Sequence, residues 1–275
     1  MVQFAYEANA WGGVVGTPQS VTDLSNGFYL TPGDPAVALK AIAAAGFTGV
    51  ELFDGNLFAY DADPAQFQSI LSDAGLELTG VYSGGHFIYR DAHDDEFARF
   101  ERSIALAAGA GARHYVVGGG SIRATGRRDE DFDVMAELLD RVADRARSEG
   151  LIPSYHPHLG SLAQTGSQVD ALFARSNIGL CADVAHLAVA GADPADIIRR
   201  YADRLAYVHL KDADLSTGEF LPLGDGDVDL DAVVASLRFS GYDDWITVEL
   251  DGYGGDLDAA ASRSLAYLSE QNFSD

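Results

Sequence analysis

Residues 178–212 read IGLCADVAHLAVAGADPADIIRRYADRLAYVHLKD. Two short apolar runs, IGLCAD (178–183) and AYVHL (206–210), enclose a stretch that opens a helix at Asp193 before Pro194, an N-cap acid ahead of a first-turn proline. Strand, helix, strand is the unit that joins two parallel neighbours in a sheet. The runs are apolar almost throughout, as expected of strands covered on both faces. Their polar residues gather at one end: Asp183 and His186 after the first run, His209, Lys211 and Asp212 after the second.

Outward from this unit the same alternation continues to both ends of the chain. Strand candidates are FAYEA (4–8), GVELF (49–53), LELTGVY (76–82), HYVVG (114–118), IPSYH (152–156), IGLCAD, AYVHL and WITVEL (245–250). Stretches of helical period lie between them. Asp34 before Pro35 and Asp63 before Pro64 repeat the N-cap device, and Gly46, Gly75, Gly150 and Gly241 stand where a C′ glycine ends a helix. Eight βα units with no break in composition predict one (β/α)8 TIM barrel over residues 1–275, with an open doubly wound sheet as the competitor. Residues 9–33 form a connection too long for an ordinary βα turn. After the first strand such a loop lies over the C-terminal mouth of the barrel, where it is expected to act as a substrate lid.

A chain of 275 residues with 47% hydrophobic and 22% charged residues can bury one large core. Its 42 acidic against 18 basic residues give a formal charge of -24, which repels nucleic acid and anionic membrane. No apolar run reaches the roughly 20 residues needed to span a bilayer. The beginning, MVQFAYEANAW, lacks the basic and apolar regions of a signal peptide, so a cytoplasmic location is expected. The single cysteine, Cys181, sits inside an apolar run and reads as a core residue.

In a barrel, polar residues at the C-terminal ends of strands point into one space. Strand five ends in His156 with His158 two residues on; strand six gives Asp183 and His186; strand seven His209 and Lys211; strand eight Glu249 and Asp251. Each alone has a plain structural reading: a strand histidine is commonly a hydrogen-bonded core group, Glu249 could pair with Lys211, and Lys211 could pair with Asp212 or face solvent. Together they matter more, because burying Asp183 and Glu249 without a cation costs several kcal/mol. Imidazoles and carboxylates from adjacent strands make a mixed N/O site for one divalent ion, Mn2+ or Co2+ first, with Zn2+, Fe2+ or Mg2+ as alternatives. Glu7, Trp11, Glu51, Tyr82 and His86, at the ends of strands one to three, are candidates to grip substrate. His93 and His114 read as structural.

SYHPHLGS, LCADVAHL, YVHLKD and FLPLGDGDVDLDAVVASLRFSGYDDWITVELD resemble the xylose isomerase-like barrel superfamily, and within it the inosose dehydratase branch. The resemblance is close over residues 151–251; before that it rests on barrel rhythm and on GFTGVELFDG. It implies a ligand set at His156, Asp183, His209 and Glu249. Superfamily epimerases carry glutamates on strands five and eight as bases on opposite faces of the substrate carbon. This chain has His156 at the first of these places, as the inosose dehydratase branch does. The first loop, AWGGVVG, and the LDGYGG after strand eight depart from that branch.

The expected activity is therefore metal-assisted removal of a proton α to a ketone, followed by loss of a β-hydroxyl or β-alkoxy group. His158 and His186 are the candidates for acid and base, with Lys211 beside the developing oxyanion. Substrates of this kind are an inosose or another keto-sugar, or a 3-oxo-glycoside that would lose its aglycone. A ketose 3-epimerase or isomerase ranks behind these, and a non-catalytic partner subunit last. Homo- or hetero-oligomers are compatible with every reading.

Overall fold

The computed structural model describes residues 2–11, 21–23, 28–31, 34–271 and 273. Eight strands close into a parallel barrel in chain order: β1 Gln3–Glu7, β2 Gly49–Phe53, β3 Glu77–Gly85, β4 His114–Gly119, β5 Ile152–His156, β6 Gly179–Asp183, β7 Leu205–Leu210 and β8 Trp245–Val248. Pairing of β1 with β2 sets Glu7 beside Glu51, and pairing of β1 with β8 completes the ring. In the β6–β7 register Asp183 lies directly beside His209, and in β4–β5 Gly118 lies beside His156. Register partners share a sheet face, so Asp183 and His209 point to the same space at the barrel mouth.

Helices α1 Pro35–Ala45, α2 Pro64–Ala74, α3 His93–Gly109, α4 Asp129–Ser148, α5 Gly166–Phe173, α6 Val184–Val189, α7 Pro194–Arg200, α8 Leu230–Ser240 and α9 Leu257–Glu270 run between the strands. Asp34 and Asp193 cap their helices through Ala36 N and Asp196 N. Asp63 does not cap α2 with its side chain. Its backbone (φ -147, ψ 77) leaves the extended conformation that aims a cap carboxylate at the helix, and its own N–H bonds Tyr60 O instead. Gly46, Gly75 and Gly241 adopt the left-handed conformation that ends a helix.

Inside the barrel the lower layer is Ala5, Val116, Cys181, Tyr207 and Trp245. Cys181 is fully buried there, and burial pushes its thiol up to about 11. His114 stacks on Tyr207 at 4.3 Å with Nε2 3.4 Å from Asp244. His93 opens α3, with Nε2 2.7 Å from Phe87 O. Of the first connection, Ala8–Trp11 forms a tight turn, and Val21–Asp23 pairs antiparallel with Phe28–Leu30. The rest of the expected lid, residues 12–20, 24–27 and 32–33, lies outside the described residues. No helix among the described residues is long and apolar enough to cross a membrane.

Candidate active site

Asp183 ends β6 and caps α6, its Oδ1 accepting from His186 N at 2.8 Å. That bond orients the carboxylate and leaves Oδ2 facing the mouth. His156 Nε2 lies 3.2 Å from Asp183 Oδ2 and 3.6 Å from Glu249 Oε2. Glu249 is the first residue past β8, still tied to β7 through its N–H on Leu210 O. His209 puts Nδ1 2.9 Å from Glu249 Oε2 and 4.0 Å from Asp183 Oδ2, while its Nε2 rests 2.9 Å from Glu51 Oε2.

Of the sequence readings of Lys211 as a surface residue, a partner of Asp212 or a partner of Glu249, the structure bears out the last. Lys211 is fully buried, with Nζ 2.6 Å from Asp251 Oδ2, 2.8 Å from Glu249 Oε2, 3.1 Å from Asp183 Oδ2 and 3.2 Å from His186 Nε2. Three carboxylates outweigh the burial that opposes its charge and raise its ammonium well above the ordinary range. Asp212 turns the other way and accepts from the N–H groups of Ala213, Gly224, Gly226 and Val228, pinning the GDGDVD loop.

Burial opposes ionisation of Asp183 and Glu249 too, yet Lys211 above all keeps both charged: Asp183 is held at about 2 and Glu249 well below the usual range. His186 is lowered by burial and by Lys211. Burial, then His186 and His156, push His158 down to about 3. His158 Nδ1 lies 2.7 Å from Leu159 O; a carbonyl only accepts, so Nδ1 carries the proton and Nε2 the lone pair.

Donor atoms of His156, Asp183, His186 and Glu249 lie within 4.8 Å of one another, all buried. The set fits one divalent ion of the kind that mixed N/O donors hold. His209 is not in that tightest group, but Glu51 backs its far nitrogen as a carboxylate commonly backs a ligating imidazole. Glu7, expected to grip substrate, is buried below with both carboxyl oxygens unpartnered among the described residues. Burial, then Glu249 and Glu51, raise it well above the ordinary range.

Above the cluster opens a cavity of about 660 Å³ lined by Tyr29, Phe53, Tyr82, His86, Arg99, Ser121, His158 and Glu249, with the backbone of Gly84, Gly85, Gly119 and Gly120. Tyr82 and His86, two of the substrate-binding candidates, line this cavity. Glu51 is turned inward to His209. Trp11 is elsewhere: its ring packs edge-on against Tyr6 and its Nε1 bonds Asp258, outside this cavity.

Four further residues join the site. Asn9 donates to Asp251 at 2.8 Å and to Glu249 at 3.4 Å; its place two residues past Glu7 was the available signal. Tyr29 and Phe53 build an aromatic wall with Tyr82. That wall needs Gly84 and Gly118, since a Cβ would come 2.5 Å from the Tyr29 ring or 1.8 Å from Tyr82 Oη. Arg99 reaches the cavity from α3, held by Asp54 and Ser83.

Comparison with known proteins agrees with this architecture. The family model described as xylose isomerase-like TIM barrel matches residues 39–271. An inosose dehydratase of Lacticaseibacillus casei is 28% identical, covering 78% of this chain and 81% of its own length. The rhizopine catabolism protein MocC of Rhizobium meliloti is 30% identical, covering 78% and 73%. Among solved structures, a probable 3-DHS dehydratase from Bacillus anthracis superposes with a TM-score of 0.75 at 14% identity over 98% of this chain and 100% of that one. An L-ribulose 3-epimerase does so with 0.75 at 19% over 98% and 94%. With a closed barrel, its polar cluster at the strand ends and a family match spanning most of its length, the chain belongs to the xylose isomerase-like TIM barrel family.

Proposed function

We propose that the protein is a divalent-metal-dependent lyase that removes water from a keto-polyol or keto-sugar of the inosose type. The observation that carries this reading is the approach of His156 and His209 to the Asp183 and Glu249 carboxylates, within 2.9–4.0 Å, beside a cavity that His158 and Glu249 line. Relatives named inosose dehydratase support the substrate class. His209 is preferred to His186 as the fourth ligand because its Nδ1 faces both Asp183 and Glu249 while Glu51 backs its Nε2, whereas His186 Nε2 faces Lys211 and Asp251. When bound, the ion supplies Lewis-acid polarisation of the substrate ketone.

The chain's own residues then account for the proton. His158 is neutral at working pH, and its Nε2 lone pair takes the proton α to the ketone. The electrons of the broken C–H bond form the enolate. As they close the C=C bond, the β-carbon loses its hydroxyl, and His158 returns the proton to it so that water leaves. One residue serves as base and then acid. His186, gripped by Lys211, orients rather than transfers. A two-base epimerase would need a second carboxylate opposite Glu249, and β5 presents His156 there.

A second reading draws on the aromatic wall. Tyr29, Phe53 and Tyr82 line a cavity of about 660 Å³, well within the range that takes drug-sized ligands, which favours a 3-oxo-glycoside losing its aglycone by the same elimination. Mass spectrometry after incubation with a keto-inositol and with a 3-oxo-glycoside tests both. Loss of one water from the first supports the dehydratase, and free aglycone from the second supports the deglycosidase. A ketose of unchanged mass but new configuration would sink elimination in favour of epimerisation.

A further inference from the structure

We propose that Lys211 is a resident counter-cation at the metal site: it holds the ligand carboxylates together in metal-stripped protein and gives up Asp183 and Glu249, but not Asp251, when a divalent ion enters. The inference rests on the metal-dependent reading above and adds a cation exchange to it. Asp183, Glu249 and Asp251 are at most 7% exposed, and three carboxylates this close repel one another strongly in a medium poorer than water. Lys211 Nζ contacts one oxygen of each, at 3.1, 2.8 and 2.6 Å. A single ammonium therefore faces all three and keeps the pocket assembled.

The surroundings divide these three contacts into two kinds. Asp183 and Glu249 also face His156 and His209, the nitrogens that would complete a metal site. Asp251 faces neither. Asn9 occupies its Oδ1 and leaves Oδ2 for Lys211, and His186 Nε2 and the ring of Phe220, 4.6 Å from Nζ, complete a separate pocket for the ammonium. Lys211 thus has somewhere to remain once the other two carboxylates are taken. A monovalent ion gains little by replacing an ammonium of equal charge, whereas a divalent ion gains a charge; the exchange makes the site selective for divalent ions.

Chelator-stripped wild type, Lys211→Met, Lys211→Gln, Asp251→Asn and the Lys211→Gln/Asp251→Asn double variant are titrated with Mn2+ by calorimetry, and their unfolding without metal is followed by circular dichroism. Lys211→Gln, whose amide still bonds carboxylates, covers the chance that Lys211→Met does not fold. Removing the competing cation is expected to tighten Mn2+ binding about tenfold or more while lowering the metal-free melting temperature. Asp251→Asn takes away the place to which the ammonium retreats and weakens binding about fivefold; in the Lys211→Gln background it changes binding less than about twofold. A purely structural lysine would lower stability without tightening the ion. Mn2+ affinity in folded Lys211→Gln equal to or below wild type overturns the exchange alone; absence of binding in every variant overturns the metal reading with it.

Discussion

The mouth of the barrel has two unlike halves. On the side of β5–β8, five side chains from one stretch of chain, His156, Asp183, His209, Lys211 and Glu249, are buried and bound to one another within 2.8–4.0 Å. On the side of β1–β4 the wall consists of Tyr29, Phe53, Tyr82, glycine backbone, His86 and Arg99, drawn from strands, loops and a helix. The first half carries the cost of burying charge; the second presents aromatic rings and glycine backbone to the cavity. Damage to the first should therefore appear in kcat and metal content, and damage to the second in KM.

The largest effect is expected at the ligand carboxylates. Asp183→Asn or Glu249→Gln should lower kcat/KM by at least about 10³, near 4 kcal/mol of transition-state stabilisation, with metal falling below about a third of an ion per chain by elemental analysis. Full metal content in both would break the division at its strongest point. His158→Gln should lower kcat by about 10²–10³ with KM and metal content almost unchanged. His186→Gln should cost clearly less, and the reverse order would reassign the base.

The pH dependence of stability comes next. His158 is held at about 3 in the folded chain against an ordinary value near 6.5, so the unfolded chain binds more protons below about pH 6.5. Stability of chelator-stripped protein should therefore fall as pH drops from about 6.5 toward 3. Asp183, held at about 2, extends the loss below about pH 4. Urea unfolding at several pH values checks this: His158→Gln should show a flatter pH dependence than wild type, and an identical slope would contradict the assignment. On the other side of the mouth, Tyr82→Leu should raise KM about three- to tenfold with kcat within about twofold. Trp11→Phe, outside the cavity, should leave both within about twofold.

These halves also differ in how far sequence alone reveals them. The β5–β8 half is legible because its residues interrupt apolar strands at one end, and because Asp183 and His209 fall in register once parallel pairing is assumed. Lys211 was the exception. In HLKD it looks like charge leaving a strand, and only the presence of Asp183, Glu249 and Asp251 around one point turns it inward. The β1–β4 half hides its parts: Tyr29 sits in a connection without periodicity, placed by its N–H on Asp54. Arg99 lies on α3, where a charged residue reads as solvent-facing, and is bent into the cavity by Asp54 and Ser83. Trp11 misled for the opposite reason, since an aromatic just past a strand is as readily packed on Tyr6 and bonded to Asp258 as offered to substrate.

A metal-dependent elimination centre at the β5–β8 cluster is tested by the rate of water loss from a keto-inositol, followed by mass spectrometry as chelator-stripped protein is titrated with Mn2+. Turnover is expected to be negligible before the ion is added and to saturate at about one ion per chain. Full turnover by stripped protein, with no response to the ion, would contradict it.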